Sequence, residues 1–256
     1  MKETVSATKT EAFVLKTMDY RDTSLCVRFY TRDAGKLSGI IRGIRDARAR
    51  YGSTLEPFSL NEILFYRRRR GGDLHQVTQV ETLDLFTPVR EDLERLSYAS
   101  YFVELIDELV EPEEPNRAIF DLLRDSLAFL TSGASPRRAA RIFEVKFFSL
   151  LGFMPEIKAC VSCRTERPDR AFFNVSLGGI VCSMCAAKNE VRGIPVSKGT
   201  LHFLERVARS GVGELQNVKV SQEVGEELES ILRRFVDYQL PNKLKSVIFL
   251  EKMELV

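Results

Sequence analysis

The chain of 256 residues is short of most things that mark an enzyme or a membrane protein. It has two histidines, His75 and His202, and five cysteines. Its apolar runs fall far below the roughly 20 residues that span a bilayer. The opening stretch MKETVSATKTEAFVLK has no apolar signal core. The expectation is a cytoplasmic chain with no membrane partner, its thiols kept reduced. No G-x4-G-K-[ST] phosphate loop occurs, since SKGT at 197–200 shares only a fragment of it. No nucleophile elbow, His-rich tract or paired-carboxylate metal motif is present. The acidic residues recur at helix-surface spacing, the pattern of solvated faces. A protein that is not an enzyme is the expectation.

What is scarce is also concentrated. Four of the five cysteines fall in residues 160–185, CVSCRTERPDRAFFNVSLGGIVCSMC, as Cys160-x2-Cys163 and Cys182-x2-Cys185. Disulfides are the weaker explanation in a reducing compartment. A Cys-x2-Cys turn aims two sulfurs at one point, and two such turns supply four thiolates at about 2.3 Å from a tetrahedral zinc. RAFFNVSLGGIVC resembles a hairpin with strands on either side of Gly178-Gly179, which would bring the second turn beside the first. Four protein ligands leave no open position for water. The spacing therefore predicts one structural zinc per chain on Cys160, Cys163, Cys182 and Cys185, against a redox or vestigial site. Neither turn has the glycine often found after the second cysteine; Arg164 and Ala186 stand there. Cys26 lies in an apolar strand and reads as core filling. His75 reads as a strand residue and His202 as a helix residue, neither near a cysteine pair.

The composition, 44% hydrophobic and 29% charged, is that of an ordinary globular protein. A chain of this size buries roughly three quarters of its unfolded surface and needs no staples to form a core. The formal net charge of +2 conceals a division. Residues 1–80 carry 15 Lys or Arg against 9 Asp or Glu, residues 81–130 carry 4 against 13, and the rest carries 19 against 14. A basic unit followed by an acidic stretch suggests two partners of opposite charge, or one partner and an intramolecular contact.

Five short runs punctuated by Gly and Asp open the chain: EAFVLKTMDY, TSLCVRFYTRD, GKLSGIIRGIR, FSLNEILFYRRRR and DLHQVTQVETLDL. In the second, Leu25, Val27 and Phe29 alternate with Arg28 and Tyr30. Five strands in under 90 residues match the size of an OB-fold, although SH3-like barrels share the pattern. The period then turns helical. Thr87 reads as an N-cap and Pro88 as a first-turn proline, of a helix stopping near Pro112. Residues 116–133, 135–153, 197–211 and 221–240 read as further helices, with Ser135 as a cap; residues 243–256 are apolar and unassigned. The expected fold is α+β: a five-stranded OB-fold barrel over 1–85, then an α-helical domain over 86–256 interrupted by a zinc-ribbon-like segment at 157–192.

FYRRRRGGD puts Arg67, Arg68, Arg69 and Arg70 at the mouth of the last barrel turn, and RGIRDARARYGS adds Arg42, Arg45, Arg48 and Arg50 in the preceding connection. Arginine forks match phosphate oxygens, and OB-folds bind nucleic acid through such loops. Tyr51, Phe65 and Tyr66 offer stacking surfaces or core, and core is the favoured place for Phe65. A solubilising hairpin tip is the bland alternative for the arginines. The residues alone thus reach a zinc-stabilised protein that binds nucleic acid, with DNA against RNA left open. An RNA-binding or translation-linked zinc-ribbon factor, or a nucleic-acid enzyme with a cryptic site, remain the alternatives.

The order of parts resembles the RecO family of bacterial recombination mediators. EAFVLKTMDYRDTSLCVRFYTRDAGKLSGIIRGIR is similar to that family's opening, STLEPFSLNEILFY to its fourth-strand entry, LLGFMPEIKACVSC and LGGIVCSMC to its zinc segment, and LPNKLKSVIFL to its C-terminal end. The resemblance implies an ATP-independent DNA-binding protein that acts in DNA repair and recombination. It implies binding of single- and double-stranded DNA, work with RecR and with single-strand-binding protein, annealing of complementary strands, and help in loading recombinase. It also implies a helical-domain site for the acidic, apolar tail of single-strand-binding protein, for which Arg137, Arg138 and Arg141 are the candidates.

Overall fold

Five strands, β1 (Ala7–Tyr20), β2 (Ser24–Thr31), β3 (Gly35–Arg42), β4 (Leu60–Tyr66) and β5 (Leu74–Asp84), close into a barrel in the order β1-β2-β3-β5-β4. Here β1 is antiparallel to β4, and β3 is parallel to β5. This five-stranded Greek-key closure is that of the OB-fold. The computed structural model describes residues 7–20, 24–42, 55–67, 74–215, 218 and 220–253. It divides into two compact units, Met1–Thr131 and Ser132–Val256.

The barrel interior is filled by alternating apolar residues, among them Val14, Leu25, Val27, Phe29, Leu37, Ile63, Phe65 and Val77. Phe65 is wholly buried and so is core, not a stacking platform. The alternation expected in β2 is incomplete, because Tyr30 and Cys26 on its other face are buried too. The covering residues come from the acidic stretch. The Tyr30 hydroxyl donates to the Asn116 carbonyl at 3.1 Å, and Arg28 donates to both Asp107 oxygens at 2.8 and 2.7 Å. Gly35, with φ 71°, lies where an added Cβ would stand 2.5 Å from the Glu114 backbone, so only glycine permits that approach.

Three helices complete the first unit: α1 (Thr87–Arg90), α2 (Leu93–Leu109) and α3 (Arg117–Thr131). The single helix expected from Thr87 is two. The Asp92 side chain accepts from the Arg95 N–H and starts a new helix, the usual work of an Asp N-cap. Phe86 at φ 51°, and not Thr87, stands before the first turn.

In the second unit α4 (Pro136–Leu150) is capped by Ser135, as its sequence predicts. There follow β6 (Ala171–Asn174), β7 (Gly179–Cys182), α5 (Ser183–Lys188), β8 (Ile194–Val196), α6 (Lys198–Arg209), α7 (Gln222–Gln239) and α8 (Lys245–Lys252). The hairpin across Gly178-Gly179 forms, with β8 added to give the order β7-β6-β8. Phe235 of α7 joins the two parts of this unit, meeting Phe148 of α4 edge-on at 4.8 Å and Phe173 of β6 at 6.5 Å. Among the described residues, no helix is long and apolar enough to cross a membrane.

Candidate metal centre and nucleic-acid interface

The first cysteine turn is tied to the hairpin by main-chain bonds. Val161 N–H donates to Ile180 O at 2.9 Å, and Ile180 N–H donates to Glu156 O at 2.9 Å. The second turn begins where β7 ends and continues into α5, whose N-cap is Cys182 itself. The bond from Val161 to Ile180 of β7 thereby sets the first turn beside the end of β7, where the second begins. The four Sγ atoms of Cys160, Cys163, Cys182 and Cys185 all lie within 4.8 Å of one another. Four sulfurs at 2.3 Å around a tetrahedral ion would stand about 3.8 Å apart, and Cys163 and Cys182 are 3.7 Å apart. The cluster can hold a metal ion.

Local hydrogen bonds favour the thiolate at Cys160 and Cys163 and disfavour it at Cys185. The Cys182 N–H points at Cys160 Sγ at 3.3 Å, and the Cys185 N–H at Cys182 Sγ at 3.4 Å. The Thr165 hydroxyl and N–H, then neighbouring thiols, bring Cys163 down to about 6, whereas Cys163 and Cys182 push Cys185 up to about 12. The opposite directions at Cys163 and Cys185 reflect thiols that hydrogen-bond one another, so that one sulfur gains as thiolate what its neighbour supplies as donor. Arg164 takes φ 63° without being glycine, so the missing knuckle glycine costs strain of about 1 kcal/mol but does not prevent the turn.

The other cysteine, Cys26, is buried in the barrel wall, as core filling requires, and burial raises its thiol pKa. His75 has a partner that its sequence context does not reveal: its Nε2 lies 3.2 Å from Glu113 Oε1. His202 is exposed on α6.

Of the eight barrel arginines, Arg42 ends β3, is exposed and makes no ion pair among the described residues, while Arg67 follows β4. Arg45, Arg48, Arg50, Arg68, Arg69 and Arg70, with Tyr51, lie outside the described residues. Gln76 of β5 pairs with Ile40 on one side and Tyr66 on the other. The two arginine-bearing connections therefore follow strands on opposite sides of β5, and these strands end in opposite directions, β3 being parallel and β4 antiparallel to β5. Arg67 stands 4.0 Å from Glu113. Lys36 is buried and donates to the Asp107 carbonyl at 2.6 Å; burial lowers its pKa, opposed by Asp107. Arg32 pairs with Glu11 and Arg117 with Asp33.

The three arginines of α4 line one groove of about 480 Å³ together with Phe203, Leu228 and Glu229. They differ in exposure and in the partners that surround them. Arg137 is exposed, Arg138 donates to the Val218 carbonyl at 3.1 Å, and Arg141 is buried against Glu144 at 3.2 Å.

Two family models match the chain, Recombination protein O N terminal over residues 1–86 and Recombination protein O C terminal over 90–248. The chain is 33% identical over 249 residues to the DNA repair protein RecO of Syntrophus aciditrophicus, covering 96% of each. It is 33% identical over 244 residues to that of Pelotomaculum thermopropionicum, covering 95% of this chain and 93% of the relative. With the DNA repair protein RecO of Bacillus velezensis it shares 30% over 247 residues, 96% of this chain and 95% of the relative.

Proposed function

The chain belongs to the RecO family of DNA repair proteins, and from that premise we propose that it is a recombination mediator. In this reading it binds single- and double-stranded DNA, anneals complementary strands without nucleotide, and helps load recombinase on strands coated with single-strand-binding protein, in the cytoplasm and with RecR as partner. The carrying observation is the register that sets Ile40 and Tyr66 against the same β5 residue, Gln76. Because β3 is parallel and β4 antiparallel to β5, the strand followed by the connection bearing Arg42, Arg45, Arg48 and Arg50 and the strand followed by the one bearing Arg67 to Arg70 end in opposite directions on the two sides of β5, which supports two separate contacts, one for each of two strands. Phosphate contact of this kind carries no base information, so both strand states bind. Two polyanions repel, and a protein that neutralises both lowers that repulsion.

The proposed division of labour follows domains 1–85 and 86–256, with the segment 157–192 held by one structural zinc on Cys160, Cys163, Cys182 and Cys185. Closed four-thiolate coordination supplies folding energy and no reactive position. The groove at α4 is the proposed seat of an acidic, apolar tail. There Arg137 supplies exposed charge, and Phe203 and Leu228 supply apolar contact, while Arg141 is paired with Glu144.

The test is a fluorescence annealing assay on strands coated with single-strand-binding protein, with a tail-deleted coating protein beside it. A rate raised by this chain, and raised less after tail deletion, is expected. An unaffected rate overturns the mediator reading. Binding that prefers RNA in competition would favour the RNA-binding alternative, and strand cleavage with added magnesium the enzyme alternative.

A further inference from the structure

We propose that the cysteine segment is a second phosphate-contact surface for DNA, formed by Lys158, Arg164, Arg167, Arg170, Lys188 and Arg192. This rests on the DNA-binding reading above and extends it beyond the barrel. All six side chains are exposed. Among the described residues, none of the six has a carboxylate within ion-pairing distance. The segment's own acids are Glu166, Asp169 and Glu190, and Asp169 is taken by Lys198 at 2.8 Å.

The fold gathers these cations around the two cysteine turns. The Arg167 N–H donates to the Lys158 carbonyl at 2.8 Å, which makes those two neighbours across a short antiparallel pairing. Arg164 closes the first turn, its N–H on the Cys160 carbonyl at 2.9 Å. The Arg170 carbonyl accepts from the Ser183 N–H at 3.2 Å, which sets Arg170 at the start of the second turn. Lys188 ends α5, and Arg192 follows it. The main-chain bonds that shape the metal centre therefore also fix where the charges emerge.

The chemistry fits a phosphate backbone better than a peptide. Four of the six are arginines, whose forks bind phosphate oxygens in pairs. Exposed hydroxyls of Ser162 and Ser183 lie between them and can also donate to phosphate. The cations are strung along the segment instead of converging on one apolar groove, which suits a ligand charged along its length. A zinc held by four thiolates would leave two negative charges. The six cations exceed these and the three carboxylates together, so the face stays positive. An annealing protein needs somewhere for each of two strands, and the cysteine segment supplies a positive surface additional to that of the barrel.

The test uses the full chain and a fluorescent oligothymidylate, with affinity measured across salt concentration. The variant Lys158→Gln, Arg167→Gln, Arg170→Gln should lower the slope of log affinity against log salt by about 2, at roughly 0.7 per contact on single strands. Its zinc content and melting curve should match those of the parent. An unchanged slope in a parent that binds DNA overturns this surface and leaves the barrel reading intact. Failure of the parent to bind overturns both. Zinc loss with an unchanged slope identifies the cations as mere counter-charges to the thiolates, and lost binding of polyglutamate with an unchanged slope identifies an acidic-protein surface; either overturns the proposal. Should the variant fail to fold, photocrosslinking of the parent to 4-thiothymidine DNA decides. Adducts within 158–192 support the surface, and adducts confined to the barrel overturn it.

Discussion

The barrel and the cysteine segment are both rich in cations, but most of the described barrel cations are paired, Arg42 being an exception, while those around the cysteine turns are not. In the barrel, Arg28 is clamped on Asp107, Lys36 is buried against the same residue, Arg32 is on Glu11, and Arg67 faces Glu113. In the cysteine segment, six exposed cations have no carboxylate partner among the described residues. A count of charges along the sequence treats the two alike. The structure separates charge spent on holding helices to the barrel from charge left for a ligand. Two acids of the stretch 81–130 belong to the first kind, Asp107 on Arg28 and Glu113 on His75, and beside them the Asn116 carbonyl accepts from Tyr30.

The largest effect expected concerns what organises the free cations. The four-thiolate site is not preformed in the unfolded chain, so metal binding free energy is folding free energy there, on the order of 10 kcal/mol in small zinc domains. Chelation, or Cys163→Ser, should abolish hydrogen-exchange protection over 157–192 while the barrel strands stay protected. Protein purified without chelator should carry one zinc per chain. Absence of zinc by elemental analysis would falsify the assignment.

Next in size is the clamp itself. Asp107→Asn keeps the shape and the backbone carbonyl used by Lys36 but strips the charge facing Arg28. Breaking a fully buried pair costs 3–5 kcal/mol. Because the Arg28 side chain is 30% exposed, about 2 kcal/mol is expected in urea unfolding. Arg167→Gln in the cysteine segment should change stability by less than about 0.5 kcal/mol, as surface substitutions do. Equal costs at the two sites would erase the contrast between them.

A third effect is functional. Arg68→Glu with Arg69→Glu should weaken DNA binding and lower the salt slope by at least about 1.4 on single strands, two contacts at roughly 0.7 each. A slope that survives this change and the equivalent one at Arg45 and Arg48 would make the barrel arginines ordinary surface.

These contrasts show what could be read from the sequence. The barrel, its strand runs and the cysteine hairpin were legible because each depends on local signals: alternation in β2, glycine at 178–179, and identical spacing in the two cysteine pairs. The break at Asp92 was not, because the apolar period continues across it and one cap hydrogen bond decides the matter. β8 was missed because three residues, one of them Pro195, carry no period. α8 was missed because its apolar face is mixed, with Ile248 and Phe249 exposed beside buried Val247 and Leu250. The pairing of Arg28, Arg67 and His75 with residues 38 to 79 positions away is tertiary and leaves no local trace. Nor does the division among Arg137, Arg138 and Arg141, which differ only in what the fold packs against them.

The smallest effect expected would turn one barrel cation from the spent kind to the free kind. Glu113 holds two groups at once, His75 at 3.2 Å and Arg67 at 4.0 Å, and its side chain is 50% exposed. An ion pair that open is worth about 0 to 1 kcal/mol, so Glu113→Gln should barely move the unfolding midpoint. The glutamine can still hydrogen-bond His75, but it no longer competes with phosphate for Arg67. The variant should therefore bind oligothymidylate a few-fold more tightly at low salt. Its slope should be steeper by up to roughly 0.7, the value of one added contact on single strands. The gain should fade as salt rises, because both surfaces are screened over about 10 Å at 0.1 M. Glu113→Lys should exaggerate the change in the same direction. If neither substitution alters the slope, Arg67 lies off the DNA path, and the barrel patch must begin beyond it.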